Sequence, residues 1–276
     1  MNKLFIAGAS GNIGKELTSF LLKKKEYELH CAYYKSKISQ TKIKNFFTYK
    51  INLIKKSSIK KLIQINPDII INLAAFTDPS KNELYPKKSF EKNVIVNKNI
   101  VDYCSLYKKK LIFTSTDKVY GGNIKTPTEK QDLKPDNLYG INKLKCENEI
   151  KKKLKQYLIL RYASVYSNKI TNKIFINRMI NKIKNKNNVY LATNVHRLFV
   201  STEYLCKIIY ELIKKKAIGT FNIGSVATNY YNLVRLICIK KKITIKNFLN
   251  KTKIKTSPQY LIPCKKKLVT YLRSVK

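Results

Sequence analysis

The stretch Gly-Ala-Ser-Gly-Asn-Ile-Gly at residues 8–14 carries three of the eight glycines in the chain, each three positions after the last. Over 276 residues, chance would place three glycines at this spacing only about 0.007 times. An apolar run precedes the stretch, and apolar residues recur with helical spacing after it. The pattern predicts a strand, a tight turn and a helix whose first N–H groups bind a diphosphate. The predicted cofactor-binding residues of this turn are Gly8, Ser10, Gly11, Asn12, Ile13 and Gly14.

Strand-like and helix-like segments alternate outward from this turn. The predicted strands after the turn are 27–34, 47–51, 68–74 and 110–116, and the predicted helices are 56–65, 85–106 and 138–154. Such alternation is typical of an α/β fold with a doubly wound parallel sheet, the Rossmann architecture. In these sheets ligands bind at the carboxyl ends of the strands, so residues that follow predicted strands are the candidate site.

The end of the second strand distinguishes the two nicotinamide cofactors. A carboxylate there binds the ribose hydroxyls, whereas a cation accepts the 2′-phosphate. Lys35 and Lys37 occupy this place, and no acidic residue occurs between Glu28 and Asp68. The segment therefore favours NADP(H), with Lys35 at the phosphate, and leaves NAD(H) as the open alternative.

Tyr139 and Lys143 lie four residues apart in a predicted helix, and Thr116 ends a predicted strand upstream of them. This spacing places the phenol and the ammonium on one helix face. Carbonyl reduction needs a proton donor and a hydrogen-bonding hydroxyl at the substrate oxygen, and a nearby ammonium is expected to lower the phenol pKa. The same spacing occurs at 33/37 and 210/214, but neither of those pairs follows a strand-end hydroxyl at this distance.

The formal net charge is +41, and nearly all of the excess is lysine, because only five residues are arginine. Basic surfaces are typical of nucleic-acid-binding proteins. Here the lysines are spread in short runs and accompany abundant Ile and Asn, a composition that an AT-rich genome would produce. We therefore expect solvated lysines and no specific nucleic-acid partner, with a polyanion site as the alternative.

Metal sites and disulfide frameworks are not predicted. The six cysteines are widely separated without a CxxC pair, and there are only two histidines. No apolar run approaches the roughly 18 residues that cross a bilayer, and the first residues are too short for a secretory signal. We expect a cytoplasmic protein that holds no metal and does not contact a membrane.

Eight segments follow one another in a recognisable order. They are GASGNIG (8–14), NPDIIINLAAFT (66–77), NV (93–94), FTSTDKVYGG (113–122), LYGINKLKCE (138–147), ILRYASVY (159–166) and, more weakly, HRLFVSTEYL (196–205) and GTFNIGS (219–225). In this order they resemble the extended short-chain dehydrogenase/reductases, and most closely the dTDP-4-dehydrorhamnose reductase group. The resemblance implies a dinucleotide-binding domain over 1–166. It also implies a substrate-binding region over 167–276, which contributes a late strand at about 219–225 to the sheet.

The resemblance also assigns roles to individual residues. Thr116, Tyr139 and Lys143 become the catalytic trio, with Tyr139 and Lys143 also contacting the cofactor, and Ala74 and Ala75 line the cofactor on its ribose and nicotinamide side. The residues implied for substrate contact are Thr77, Asp117 and Arg197. For Arg197 a surface ion pair is the alternative to a nucleotide phosphate, and Asn93 is either an active-site asparagine or an ordinary helix residue.

The implied activity is NAD(P)H-dependent reduction of a nucleotide-activated 4-keto sugar, in the synthesis of sugar nucleotides and cell-surface polysaccharide. Two alternatives stay open: an epimerase or dehydratase on the same fold, and a non-catalytic dinucleotide-binding regulatory subunit. Ser164 stands where the reductases usually carry a tryptophan, so the sugar is not identified. The expected partners are the sugar-nucleotide substrate and a second copy of the chain, with which it would form a homodimer.

Overall fold

Seven parallel strands and their crossover helices form the larger part of the chain. The computed structural model describes residues 1–38, 43–122, 124–169, 174–255 and 260–274. The elements up to the sixth strand are β1 (Asn2–Ala7), α1 (Asn12–Lys24), β2 (Tyr27–Tyr33), β3 (Phe46–Lys50), α2 (Ile59–Ile65), β4 (Ile69–Asn72), α3 (Pro79–Leu84), α4 (Pro86–Phe90), α5 (Val96–Leu106), β5 (Lys110–Thr114), α6 (Leu138–Lys153) and β6 (Tyr157–Arg161). Short 3-10 helices cover Lys56–Ser58 and Asp117–Tyr120.

The elements after β6 include β10, the last strand of the large sheet, and the strands and helices of two smaller sheets. They are β7 (Val165–Tyr166), α7 (Phe175–Lys184), β8 (Val189–Ala192), β9 (His196–Ser201), α8 (Thr202–Lys214), β10 (Gly219–Asn222), β11 (Val226–Asn229), α9 (Tyr230–Lys240), β12 (Leu249–Thr252), β13 (Tyr260–Leu261) and α10 (Lys266–Ser274). Strand β9 pairs with β7, β11 and β13, and β8 pairs with β12.

The large sheet has the order β10-β6-β5-β4-β1-β2-β3, and all of its strands are parallel. The chain builds outward from β1 through β2 and β3, then returns to the other side of β1 through β4, β5 and β6. The order therefore reverses between β1 and β4, and the crevice beyond their carboxyl ends is where ligands bind in doubly wound sheets. The predicted fold class, a doubly wound parallel sheet, is confirmed.

Side chains of β1 alternate between two hydrophobic layers, as the pleat of a strand requires. Leu4 and Ile6 pack with the layer that contains α1 and α8, whereas Phe5 and Ala7 pack with the layer that contains α2, α5 and α6. All four side chains are fully buried. Burying one such leucine or isoleucine contributes about 1.5–3 kcal/mol relative to leaving it exposed, so both helical layers hold β1 and the turn that follows it.

The predicted helix over 85–106 is interrupted in the structure. Tyr85 leaves helical geometry at φ −128° and ψ 66°, and Pro86 then begins α4, because proline lacks the N–H group that a continuing helix would need. Residues Glu91–Ile95 form a π-helical turn before α5 starts. The predicted helix therefore begins one residue later than expected, at Pro86, and runs to Leu106 with a π turn that lies beside the candidate site.

Lysines occupy left-handed positions where helices usually end in glycine. After α7, Lys186 has φ 59°, its N–H donates to Ile183 O, and the N–H of Asn187 donates to Lys182 O. This pair of bonds is the Schellman motif, in which glycine is the preferred residue because it has no Cβ. The lysine-rich, glycine-poor composition thus extends to helix ends where it is conformationally unfavourable.

Within the residues that the structure describes, no helix is both long and apolar enough to cross a membrane.

Candidate active site

The turn after β1 is built so tightly that only glycine fits at two of its positions. Gly8 has φ +77°, and a Cβ on it would lie 2.8 Å from the backbone nitrogen of Ala74. A Cβ on Gly14 would collide with the carbonyl oxygen of Gly8 and lie 2.6 Å from the Cα of Ala9. These contacts hold the start of α1 and the segment after β4 directly against the turn.

Gly11 stands at the start of α1 in a different environment. A Cβ there would meet only the carbonyl oxygen of Gly8, at 3.2 Å, among the described atoms within 4 Å. No described side chain caps the helix, and its first turn contains no acidic residue. The N–H groups of this 13-residue helix thus keep the partial positive charge that favours an anion. The open space at Gly11 and the uncapped helix fit the diphosphate of a dinucleotide, beside partly exposed Ser10, Asn12 and Ile13.

The segment after β4 forms the opposite wall of the crevice. Ala74 and Ala75 are half-buried, and Thr77 is exposed. The side-chain oxygen of Asn72, at the end of β4, accepts a 3.2 Å hydrogen bond from the N–H of Ala74. The predicted cofactor residues Gly8 and Ala74 therefore face one another across the switch point, with the backbone of each fixed.

Asn93 fixes the next part of this wall. Its side chain is 3% exposed, accepts a 2.8 Å bond from the N–H of Phe76 and donates to the carbonyl oxygen of Phe76 at 3.2 Å. It also donates to Asn82 Oδ1 at 3.0 Å, and Asn82 is itself hydrogen-bonded to Ser89. These bonds hold the loop after β4 against the π-helical turn. Asn93 thus positions a wall of the site, a role that differs from both an active-site asparagine and an ordinary helix residue.

Lys143 lies on α6 with its side chain almost fully buried, at 2% exposure. Its Nζ donates a 2.8 Å hydrogen bond to the carbonyl oxygen of Thr114 and lies 4.4 Å from the ring centre of Phe113. Burial disfavours the ammonium and lowers the pKa of Lys143 to about 8, although the nearby Cys146 and Glu147 act in the opposite direction. The lysine is thus anchored to the end of β5 and titrates close to physiological pH.

Tyr139 lies one helical turn before Lys143, and its ring centre is 5.9 Å from the lysine Nζ. Burial raises the pKa of the Tyr139 phenol, and the charges of Tyr162, Asp117 and Cys146 raise it further. The expectation that this pKa would be lowered was wrong, because burial of the phenol raises it. The ammonium of Lys143 donates instead to the carbonyl oxygen of Thr114.

Thr116 and Asp117 directly follow β5, against the N-terminal turn of α6. The Thr116 hydroxyl donates to Asp117 Oδ1 at 3.2 Å and accepts from the N–H of Lys118 at 3.2 Å. A Cβ on Gly140 would lie 2.7 Å from the carbonyl oxygen of Lys118, so the helix carrying Tyr139 packs closely on this segment. The structure thus brings the segment of Thr116 together with Tyr139 and Lys143.

Asp117 is a buried carboxyl group, 2% exposed, and its Oδ2 has no hydrogen-bond partner among the described residues. Burial raises its pKa, while the positive charges of Lys118 and Arg197 and the bond from Thr116 oppose the rise. An unsatisfied buried oxygen is unusual in a folded protein and favours a position that a ligand completes. Arg197, on β9, is close enough for its charge to act on this carboxyl group.

Arg197 is only 5% exposed, so the alternative of a surface ion pair was wrong. Its Nη1 donates a 2.7 Å bond to the carbonyl oxygen of His196. Burial raises the pKa of Tyr230, and the hydrogen bond with Ser164 and the charge of Arg197 oppose this rise. Arg197 therefore belongs to the wall between β9 and the end of β5. Lys35, in contrast, is exposed in the bend after β2, at the other end of the crevice.

Tyr162 was not singled out from the sequence, yet it faces the candidate site. Its hydroxyl is hydrogen-bonded to the Thr114 side chain, and its charge acts on Tyr139. Its carbonyl oxygen accepts from the N–H of Asp117 at 3.2 Å. Tyr162 could have been identified from its position directly after β6, because residues that follow parallel strands meet at one edge of the sheet.

Comparisons with known proteins agree with this arrangement. A sequence model described as RmlD substrate binding domain matches residues 1–263. The dTDP-D-glucose 4,6-dehydratase of Dictyostelium discoideum is 27% identical over 254 residues, which are 82% of this chain and 58% of that protein. The methionine adenosyltransferase 2 subunit beta of Xenopus tropicalis is 28% identical over 167 residues, 59% of this chain and 47% of that protein. The chain thus spans less than two thirds of either relative.

One solved structure covers nearly the whole chain. The dTDP-4-dehydrorhamnose reductase of Bacillus anthracis, solved in complex with NADP, superposes with a TM-score of 0.84 at 22% identity. The superposition covers 98% of this chain and 92% of that one. At this identity the likeness concerns the fold alone.

Proposed function

Because the chain belongs to the RmlD substrate binding domain family, we propose that it is an NAD(P)H-dependent reductase of nucleotide-activated 4-keto sugars. The proposal rests above all on one observation: the uncapped helix start at Gly11 and the buried Tyr139–Lys143 helix lie at the same carboxyl edge of the sheet. The product would serve the synthesis of sugar nucleotides and cell-surface polysaccharide.

In this proposal the bound cofactor supplies the hydride, and the chain supplies the proton and the oxygen contacts. Tyr139 gives its phenolic proton to the substrate oxygen, and its raised pKa keeps that proton in place at neutral pH. The Thr116 hydroxyl turns from Asp117 to hydrogen-bond the same oxygen. Lys143, with a pKa of about 8, is roughly nine-tenths protonated at pH 7, and its charge stabilises the negative charge that develops on Tyr139.

The two parts of the chain take different roles in the proposal. Residues 1–166 bind the dinucleotide, with the glycine turn at the diphosphate and Ala74 and Ala75 along the nicotinamide side. Residues 167–276 bind the sugar nucleotide and contribute Arg197, which meets Asp117 from the first part. With Thr77, these two residues make the substrate contacts. The unpaired oxygen of Asp117 supports this role, since a sugar hydroxyl would give it a donor.

NADP(H) is the favoured cofactor, with NAD(H) as the alternative. The support is the exposed Lys35 after β2, at the position where a cation meets the 2′-phosphate. The Bacillus anthracis reductase, whose fold this chain shares, was solved with NADP.

The test is NADPH consumption with a panel of dTDP- and UDP-linked 4-keto sugars, in the native protein and in Tyr139→Phe. Loss of a proton donor typically removes about 10²–10⁴-fold of the rate. We expect the native protein to reduce at least one sugar of the panel and the variant to bind NADPH unchanged but lose turnover by that factor. Equal inertness of both proteins, with cofactor still bound, would replace this proposal with a non-catalytic regulatory subunit.

A second candidate is an epimerase or dehydratase that keeps its dinucleotide. The observation that favours it is the buried Asp117 beside Thr116, since burial raises the pKa of this carboxyl group towards that of a general acid. Incubation with NAD and a dTDP- or UDP-hexose distinguishes the candidates by mass spectrometry together with proton NMR. A dehydratase product lacks one water, and an epimerase product keeps the substrate mass but changes its stereochemistry.

We further propose that the protein works in the cytoplasm as a homodimer. All six cysteines are unpaired thiols, which suits a reducing compartment. Leu106 and Ile141 expose apolar side chains on the neighbouring helices α5 and α6, which a second copy would cover. Light scattering of the purified protein would test the dimer.

A further inference from the structure

Two lysines on the segment between α4 and α5 stand over the ring of Phe76. The Nζ of Lys88 lies 5.6 Å from the ring centre, and the Nζ of Lys92 lies 5.5 Å from it. Lys88 is also 5.4 Å from the ring centre of Tyr85. Their spacing of four residues places both ammonium groups on one side of this segment, facing the loop after β4.

A third lysine approaches them from the other side of the crevice. Strands β2 and β4 both pair with β1, in parallel, so the loops that follow them flank the glycine turn on either side. Lys35 follows β2, and Phe76 follows β4. Burial lowers the pKa of Lys92, and the charges of Lys88 and of Lys35 lower it further.

These three lysines gather positive charge that the described residues do not neutralise. None of them forms an ion pair or a hydrogen bond with a carboxylate in the described part of the chain, although Glu91 lies close enough to oppose part of the shift. Lys92 is half-buried, so its ammonium repels its neighbours more strongly than a fully solvated one would. A bound dianion would relieve this repulsion.

We infer that Lys88 and Lys92 complete, with Lys35, a binding site for the 2′-phosphate of NADP(H). The location selects this phosphate over the diphosphate, because Lys35 follows the strand next to β1, where the adenosine ribose lies in dinucleotide folds. The diphosphate itself belongs at the start of α1. This inference rests on the proposed function and adds to it two residues, from a different element, that select between NADPH and NADH.

The test measures dissociation constants for NADPH and NADH in the full chain without sugar substrate, by cofactor fluorescence. In Lys92→Gln we expect the NADPH constant to rise about 10-fold or more, as for loss of a charge-assisted hydrogen bond. The NADH constant should change less than about twofold, because NADH lacks that phosphate. Lys88→Gln should act in the same direction but less strongly, since Lys88 is more exposed. Competition by 2′-AMP, but not by 5′-AMP, should weaken in parallel.

Lys145→Gln is the matched control, because its Nζ lies over the ring of Phe90 at 5.7 Å but outside the cluster. It should leave both constants unchanged. Thermal unfolding of each variant shows whether the fold is kept. An equal loss for both cofactors in Lys92→Gln would assign the lysine to the shared diphosphate and overturn the inference. An unchanged NADPH constant would overturn it as well. If the native protein bound neither dinucleotide, the proposed function itself would fail.

Discussion

Glu147 and Arg161 form an ion pair with no solvent contact, in which Arg161 Nη2 lies 2.6 Å from Glu147 Oε2. The carboxylate also accepts from the hydroxyl of Ser115 at 2.6 Å, and Arg161 Nη1 donates to the hydroxyl of Tyr120 at 2.9 Å. Ser115 directly precedes Thr116. The pair therefore connects α6, β6 and the end of β5 behind the candidate site.

Removing one partner of this pair should strongly destabilise the fold. A lone buried charge typically costs about 3–5 kcal/mol, so Glu147→Leu should lower the free energy of unfolding in urea by that amount. The double variant Glu147→Leu/Arg161→Met should recover much of the loss, because it leaves no unpaired charge. Lys151→Ala is the control, since its Nζ reaches the same carboxylate at 3.5 Å from a partly exposed position and is worth at most about 1 kcal/mol. A loss below 1 kcal/mol in Glu147→Leu would contradict this account.

The buried ammonium of Lys143 should lower the free energy of unfolding at neutral pH. Its pKa falls from 10.5 to about 8 on folding, which corresponds to a cost on the order of 3 kcal/mol for holding the ammonium inside. Lys143→Met should therefore unfold at higher urea concentration at pH 7, with part of the gain offset by the unpaired Thr114 carbonyl.

The pH dependence of this effect has a definite sign. Between pH 8 and 10.5 the unfolded chain binds a proton at Lys143 that the folded chain does not, so the native protein gains stability as pH rises through this window. Lys143→Met has no titrating group at this position, so its stability does not rise in this window. Its advantage should shrink from pH 7 to pH 9, and a constant difference would show that Lys143 does not titrate as described.

The rate of sugar reduction should fall as the pH rises above the pKa of Lys143. We expect kcat/KM for the reducible sugar to decrease above about pH 8, because the neutral amine no longer stabilises charge on Tyr139. Tyr139 cannot be the cause, since burial raises its pKa. Lys143→Arg, which keeps its charge, should move this limb to higher pH. A native profile that stays flat to pH 10 would rule out the role of the ammonium.

Alanine substitutions at two glycines of the turn should have different effects: Gly8→Ala should lower stability, and Gly11→Ala should weaken cofactor binding. Gly8→Ala places a Cβ 2.8 Å from backbone at φ +77°, so we expect a loss of more than about 2 kcal/mol in the free energy of unfolding. Gly11→Ala has ordinary extended backbone and one contact at 3.2 Å, so stability should change little. Its Cβ would nevertheless enter the open space at the helix start. NADPH titration should therefore show weaker binding in a folded Gly11→Ala protein.

Glycine at the left-handed end of α7 should stabilise the protein. Lys186 adopts φ 59°, which costs a residue with a Cβ about 1 kcal/mol or more. Lys186→Gly removes this strain but adds freedom to the unfolded chain, so we expect a net gain of about 0.5 kcal/mol. Lys182→Gly, at an exposed position inside the helix, should instead lose about 1 kcal/mol. Thermal unfolding of both variants measures the difference, and losses of similar size in both would refute the argument.

The parts of the fold that were predicted from sequence share a local signal. The glycine spacing around Gly11 and the short apolar runs of β1, β4 and β5 mark the strands and the turn directly, because backbone geometry and burial act on neighbouring residues there. The start of the helix at Pro86 was predicted to within one residue, whereas the short helix α3 before it was not predicted. The π-helical turn left no such mark, since it arises from the hydrogen bonds of Asn93 to a loop 17 residues away.

The pKa shifts in the site depend on how deeply each side chain is buried, and the spacing of residues in the sequence does not predict burial. The helical spacing of Tyr139 and Lys143 correctly predicts neighbours on one face, yet desolvation reverses the expected shift of the phenol. The Lys88–Lys92 spacing is equally visible in the sequence. Its closeness to Lys35 is not, because it depends on both β2 and β4 lying beside β1.

Strand β10 gives the chain an unusual dependence on its own later residues during synthesis. Asn222, at the end of this strand, accepts a 2.7 Å bond from the hydroxyl of Tyr120 and donates to the carbonyl oxygen of Cys264. Until these residues leave the ribosome, β6 is an open sheet edge and the hydroxyl of Tyr120 lacks its acceptor. A nascent chain that stalls before residue 219 should therefore bind chaperones, and cotranslational folding of the large sheet should finish only after β10 has emerged.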